Sequence, residues 1–253
     1  MGREYALRHG EDSTAAEAIF EHYLPRFAGD ALPASPLGAA LSVADKIDTL
    51  AGYFLIGLVP SGSADPYALR RQAAGAVSVH AEWRFALGID SLAARAVGLF
   101  ASAGVAEDPA RQGQVVEDVM GFIRARLKAS LEEAGHRHDI ADAVLAAGCG
   151  RPACVFERAQ AVAQVVDEAW FAALATAASR VRNIAMNARA DAFSPALFQD
   201  EAERELFDAA KALEADVRAS IEARMSGFVD RTAYVSALER TSVISPAIDK
   251  YFE

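Results

Sequence analysis

Cysteine is scarce: the chain holds two, Cys149 and Cys154. A single C-x4-C pair without a matching second pair is too little for a structural zinc site, and reads as two reduced thiols. Long hydrophobic runs are also missing. The richest stretch, residues 50–60, is too short to span a bilayer and contains glycine. The opening MGREYALRHG is too polar for a signal peptide. Half-buried strands need alternating apolar and polar residues, and that alternation is rare here. Positive charge is in deficit, with a net charge of −10, which disfavours indiscriminate binding to polyanions.

What remains is a chain rich in alanine and in helical spacing. Apolar residues make up 53% of 253 positions, enough for a real core and too many for a disordered chain. The expectation is an all-α protein. Charge is uneven along it. Residues 1–119 carry 9 basic and 15 acidic groups, 120–190 carry 9 and 7, and 191–253 carry 7 and 13. Contact with a polyanion is therefore expected at local clusters, with the middle third the least hostile.

Thr14 and Glu17 have capping-box spacing, so a helix is expected from there to about Arg26. Ser35 as N-cap with Pro36 at the first helical position starts another, running to about Gly57. On it Val43, Ile47, Leu50 and Phe54 form an apolar face, with Asp45 and Asp48 on the other side. Asp65-Pro66 repeats the cap-then-proline start for a helix bearing Arg70 and Arg71. A long helix from about Pro109 has Val116, Met120, Ile123 and Leu127 as its expected core stripe and ends at Gly135. CGRPAC, residues 149–154, is the best internal boundary. Helices are expected after it at about 153–166, 168–190, 200–225, 229–240 and 246–252.

Asp45 and Asp48 share a helix sector and could hold a cation or act as an acid–base pair. No further ligands are in view, so the preferred reading is one solvated aspartate and one paired with Lys46 or an arginine. His136, His138 and Asp139 fall in a helix-to-helix turn, with Asp139 as N-cap. SGSADP (61–66) lacks the glycine spacing and lysine of a phosphate loop and reads as a tight turn. Arg180, Arg182, Asn183 and Arg189 lie on one expected helix, where basic side chains beside an Asn suit phosphate and base-edge contacts. A solvated helix surface accounts for them equally well.

One stretch goes further. HYLPRFAGDALPASPLGAALSVADKIDTLAGYFLIGLVPSGSADPYALRRQAAG, residues 22–75, closely resembles the β subunit of bacterial two-subunit glycyl-tRNA synthetase. Its Tyr-Leu-Pro-Arg-Phe entry, Ala-Asp-Lys-x-Asp helix and Asp-Pro-x-Ala-Leu-Arg-Arg hairpin carry the likeness. FIRARLKASLEEAGHRHDIADAVLAAG and SRVRNIAMNA resemble later segments more weakly. The resemblance implies an HD-like helical domain over 1–150, followed by a DALR-type anticodon-binding bundle over 151–253, truncated at its end. The chain would be a carboxyl-side fragment of the longer subunit, leaving apolar residues such as Leu174 and Val181 uncovered.

By the same resemblance, Asp45 stands at a degenerate HD ligand position and binds no metal. The tRNA-facing residues would be Arg180, Arg182, Asn183 and Arg189, with Arg70 and Arg71 as a second patch. The chain would hold no cofactor and no catalytic residue. ATP and glycine would be handled with an α subunit, the partners being that subunit and tRNA(Gly), with no DNA and no membrane, in the cytoplasm. The alternative is an HD-type metal-dependent nucleotide phosphohydrolase, and a third reading is a helical interaction module without an RNA role.

Overall fold

A computed structural model describes residues 1–62, 64–105, 108–186, 194–222 and 230–252, with the side chains of 218–222 outside the description. Among these residues the protein is all-helical, with no strand beyond one isolated bridge between Ser61 and Ala64. The chain divides into two compact units, Met1–Phe156 and Glu157–Glu253.

The first unit begins with α1 (Gly2–Arg8) and α2 (Ser13–Glu21). The cap of α2 lies two residues before the expected Thr14. The Asp12 carboxylate accepts the N–H groups of Thr14 and Ala15 at 2.8 and 3.2 Å. Glu17 does not close a capping box; it pairs with Arg3 on α1 at 3.1 Å. The helix stops at Glu21, short of the expected Arg26, and Leu24-Pro25, a cis peptide, opens an irregular segment.

Helix α3 (Pro36–Leu55) starts as expected, with Ser35 Oγ accepting the N–H of Gly38 at 3.0 Å. Val43, Ile47, Leu50 and Phe54 are all buried, and Asp45 and Asp48 are exposed. Helix α4 (Leu69–Glu82) begins later than Pro66. Asp65 caps it from a distance, accepting the N–H groups of Leu69 and Arg70 at 2.8 and 2.9 Å. The intervening Ala68 takes φ of 55° to turn the chain.

Helices α5 (Ile89–Ser102), α6 (Pro109–Glu133) and α7 (His138–Ala146) complete this unit. Helix α3 is its centre, packing against α2, α4, α5 and α6. The buried stripe of α6 is Val115, Val119, Ile123, Leu127 and Leu131. Val116 and Met120 lie one position out of phase with that stripe and are half-buried. Gly135 and Gly148 follow helix ends with φ of 88° and 113°, a region other residues avoid. The 149–151 turn belongs to this unit, tied in by the N–H of Ile89 donating to the Gly150 carbonyl at 2.7 Å. Cys149 and Cys154 are free and buried.

Helix α8 (Pro152–Val165) carries the chain into the second unit. There α9 (Ala169–Ala185) packs against α11 (Arg231–Ser242) and α12 (Ser245–Phe252), and α10 (Glu201–Glu222) packs against α12. Leu174, expected to be uncovered, is buried with Ala177 on α9, the two lying three residues apart on one helix face. Val181 is exposed.

Candidate nucleic-acid contact surfaces

Arg70 and Arg71 are adjacent in sequence and face different surroundings. The Arg70 guanidinium donates to the Gly62 carbonyl at 2.6 Å and bridges the turn to α4. Arg71 is exposed and pairs with no carboxylate among the described residues. It lies at the edge of a cleft of about 600 Å³. One wall of this cleft is the α4 face carrying Arg71, Ala74, Gly75 and Ser78, whose spacing is that of one helical stripe. The other wall is the 25–32 segment, including Phe27.

That segment is held in shape by ion pairing and by a buried lysine. Arg26 donates to Asp30 through Nε at 2.8 Å and Nη2 at 3.1 Å, and its own N–H meets the same carboxylate at 2.8 Å. These bonds keep the Asp30 carboxyl well below the usual carboxylate range. The Arg26 guanidinium carbon lies 5.8 Å from the centroid of Phe27, which is 57% exposed.

Lys46 enters the core from α3 and is 2% exposed. Its ammonium donates to the carbonyls of His22 and Leu24 and to Ser42 Oγ at 3.0, 2.9 and 2.8 Å. Burial pushes its pKa down to about 8, opposed by the charge of Asp45. Lys46 therefore anchors the chain just before Pro25 and forms no simple surface pair with an aspartate. Glu21 plays the matching role at the far end of the segment. Its carboxylate accepts the N–H groups of Ala34 and Ser35, at 2.8 and 3.2 Å, and the Ser35 hydroxyl.

In the second unit, Arg180 donates to Asp249 of α12 at 2.7 Å. Arg182 and Asn183 are exposed on α9. Arg189 lies outside the described residues. Of the expected cluster, then, Arg180 is already engaged by a carboxylate and Arg182 presents its charge to solvent.

His138 opens α7, with Nδ1 2.9 Å from Glu132 and Nε2 3.2 Å from Asp142. Asp139 is not the N-cap. It sits inside the first turn and pairs with Arg137, the residue that occupies the cap position. Among the described residues no group of three or more His, Cys, Asp or Glu is placed to share a cation. No described helix is long and apolar enough to cross a membrane.

The sequence reading missed Phe27, Arg26 and Lys46. Lys46 had a signal: it lies three residues after Val43 and four before Leu50, on the apolar stripe itself. For Phe27 the signal was Pro25 and Gly29 on either side, which end a helix and leave the residues between them in a loop.

The family model described as glycyl-tRNA synthetase beta subunit matches residues 1–146. Three curated relatives match the chain over all of its length. The glycine–tRNA ligase beta subunit of Desulforamulus reducens is 41% identical, that of Syntrophotalea carbinolica 39%, and that of Halalkalibacterium halodurans 41%. The chain spans 35% of the length of each relative. These matches do not support the carboxyl-side placement expected from the sequence.

Proposed function

Since the chain belongs to the glycyl-tRNA synthetase β-subunit family, we propose that it contributes tRNA recognition to the ATP-dependent ligation of glycine to tRNA(Gly). Its partners in this reading are an α subunit, which handles ATP and glycine, and the tRNA, and its place is the cytoplasm. The single observation that carries the reading is the family match over residues 1–146. The HD-like identity of residues 1–150 and the anticodon-bundle identity of 151–253 belong to the same proposal.

The geometry supports a binding role. Of the candidate arginines, Arg71 on α4 and Arg182 on α9 present their charge to solvent, in a chain whose net charge is −10. Contacts with phosphate are local in such a chain, and each one adds to the salt dependence of binding. This chain contributes position and affinity, and the bond-forming chemistry belongs to the assembly.

Binding of tRNA(Gly) to the chain tests the proposal, with polyuridylate at equal nucleotide concentration as the competitor. The expected result is saturable binding of tRNA(Gly) that weakens with salt and resists the competitor. Complete displacement by polyuridylate, or no binding at low salt, overturns it.

A further inference from the structure

We propose that the cleft between the 25–32 segment and α4 receives one unpaired nucleotide of the tRNA, its base against Phe27 and its phosphate at Arg71. This inference rests on the tRNA-recognition reading above and names the place and the chemistry of one contact.

The cavity measures about 600 Å³, inside the roughly 300–1,000 Å³ range of small-ligand sites. Its walls differ in character. Phe27 offers an aromatic surface that is 57% exposed, with the Arg26 guanidinium carbon 5.8 Å from its centroid. Opposite it, Ala74, Gly75 and Ser78 keep the α4 wall low, so a planar ring can approach the helix. Arg71 stands on the same helical stripe.

Charge favours a phosphate there. The carboxylate lining the cleft, Asp30, is already taken up by Arg26 at 2.8 and 3.1 Å. Arg71 has no carboxylate among the described residues. Beneath the cleft, a methyl group on Gly75 would meet Lys46 Cε at 2.9 Å, so the lysine stem closes the space behind this wall.

The pocket is also built before any ligand arrives. Lys46 and Ser42 hold the Leu24 carbonyl at 2.9 and 2.6 Å. Asp30 folds the following turn onto Arg26, and Gly29 takes φ of 81° to allow it. A preformed loop binds without paying an ordering cost. An aromatic ring at a loop selects a base that is already out of its stack, because a paired base hides its face.

The test is equilibrium binding of tRNA(Gly) to the 253-residue chain across a salt series, for wild type, Phe27→Leu, Phe27→Trp and Arg71→Gln. Both residues are exposed, and circular dichroism confirms that each variant folds. Phe27→Leu is expected to weaken binding about tenfold at every salt concentration with the slope unchanged, since stacking carries no charge. Phe27→Trp restores affinity. Arg71→Gln flattens the salt dependence by about one unit or less. If folded Phe27→Leu and Arg71→Gln bind tRNA as wild type does, the cleft is overturned while tRNA recognition stands. If wild type binds no tRNA, both readings fall.

Discussion

A methyl group placed on Gly75 of α4 would sit 2.9 Å from Cε of Lys46 on α3. The two helices cross with a glycine facing a buried lysine stem, and the space between them is used up. In an exposed helix interior, alanine in place of glycine gains about 1 kcal/mol. Here overpacking costs about 1–3 kcal/mol and reverses the sign. Gly75→Ala is therefore expected to lower the free energy of unfolding, whereas Gly121→Ala, with nothing within 4 Å, raises it. Urea unfolding of the two variants compares them directly.

Replacing Lys46 removes one donor shared by three acceptors, of which the Leu24 carbonyl keeps the Ser42 hydroxyl at 2.6 Å. The carbonyls of His22 and Leu24 and the Ser42 hydroxyl lose their shared donor, and Lys46→Met should cost about 3 kcal/mol. The pH profile identifies the cause. Burial lowers the folded pKa to about 8 from 10.5, so between those values the unfolded chain binds more protons. Wild-type stability should then gain a rising component from pH 8 to 10.5 that Lys46→Met lacks. Identical pH profiles for the two proteins would refute it.

His80 sets the opposite end of the pH range. It is fully buried, and Nε2 lies 2.8 Å from the Leu87 carbonyl. Burial holds its pKa below 6.5, with the Leu87 bond and the charge of Asp90 opposing and Arg151 assisting. The unfolded chain binds the extra proton first, so stability present above pH 6.5 is lost as pH falls through it and on toward the folded value. His80→Gln keeps a donor for Leu87 and cannot titrate. Its thermal midpoint should fall less than that of wild type between about pH 7 and pH 5.

Arg180 and Arg182 should separate in their effect on tRNA. Arg180 is held by Asp249 at 2.7 Å, an exposed pair worth about 1 kcal/mol or less. Freed by Asp249→Asn, it becomes available to phosphate and binding should tighten. Arg182→Ala should weaken binding and reduce the salt slope, with stability nearly unchanged. A filter-binding salt series on both variants decides this; equal slopes in all three proteins would remove α9 from the RNA path.

Arg70 and Arg71 should separate in stability. Arg70→Ala loses the bond to Gly62 and should cost about 1 kcal/mol. Arg71→Ala removes no described partner and should melt as wild type does. Thermal melts followed by circular dichroism show which of the two secures the turn.

Local chemistry alone determined much of this protein. Ser35-Pro36 sets the start of α3 because a hydroxyl and a ring with fixed φ act within one turn. The apolar period of Val43, Ile47, Leu50 and Phe54 chose its buried face. The likeness to the synthetase subunit was also readable along residues 22–75. Where two nearby options compete, local signals were less decisive: Asp12 won the cap over Thr14, and α6 buried Val115 and Val119 in place of Val116 and Met120. A rotation of one residue is settled by the neighbours a helix packs against. Tertiary structure alone decided the rest. Lys46 could be buried only because carbonyls from His22 and Leu24 converge on it from more than twenty residues away. The cleft exists because the 25–32 segment is brought to a face of α4 forty residues further along the chain. Burial and hydrogen-bond partners depend on which distant segments fold together, and no spacing along the chain specifies that.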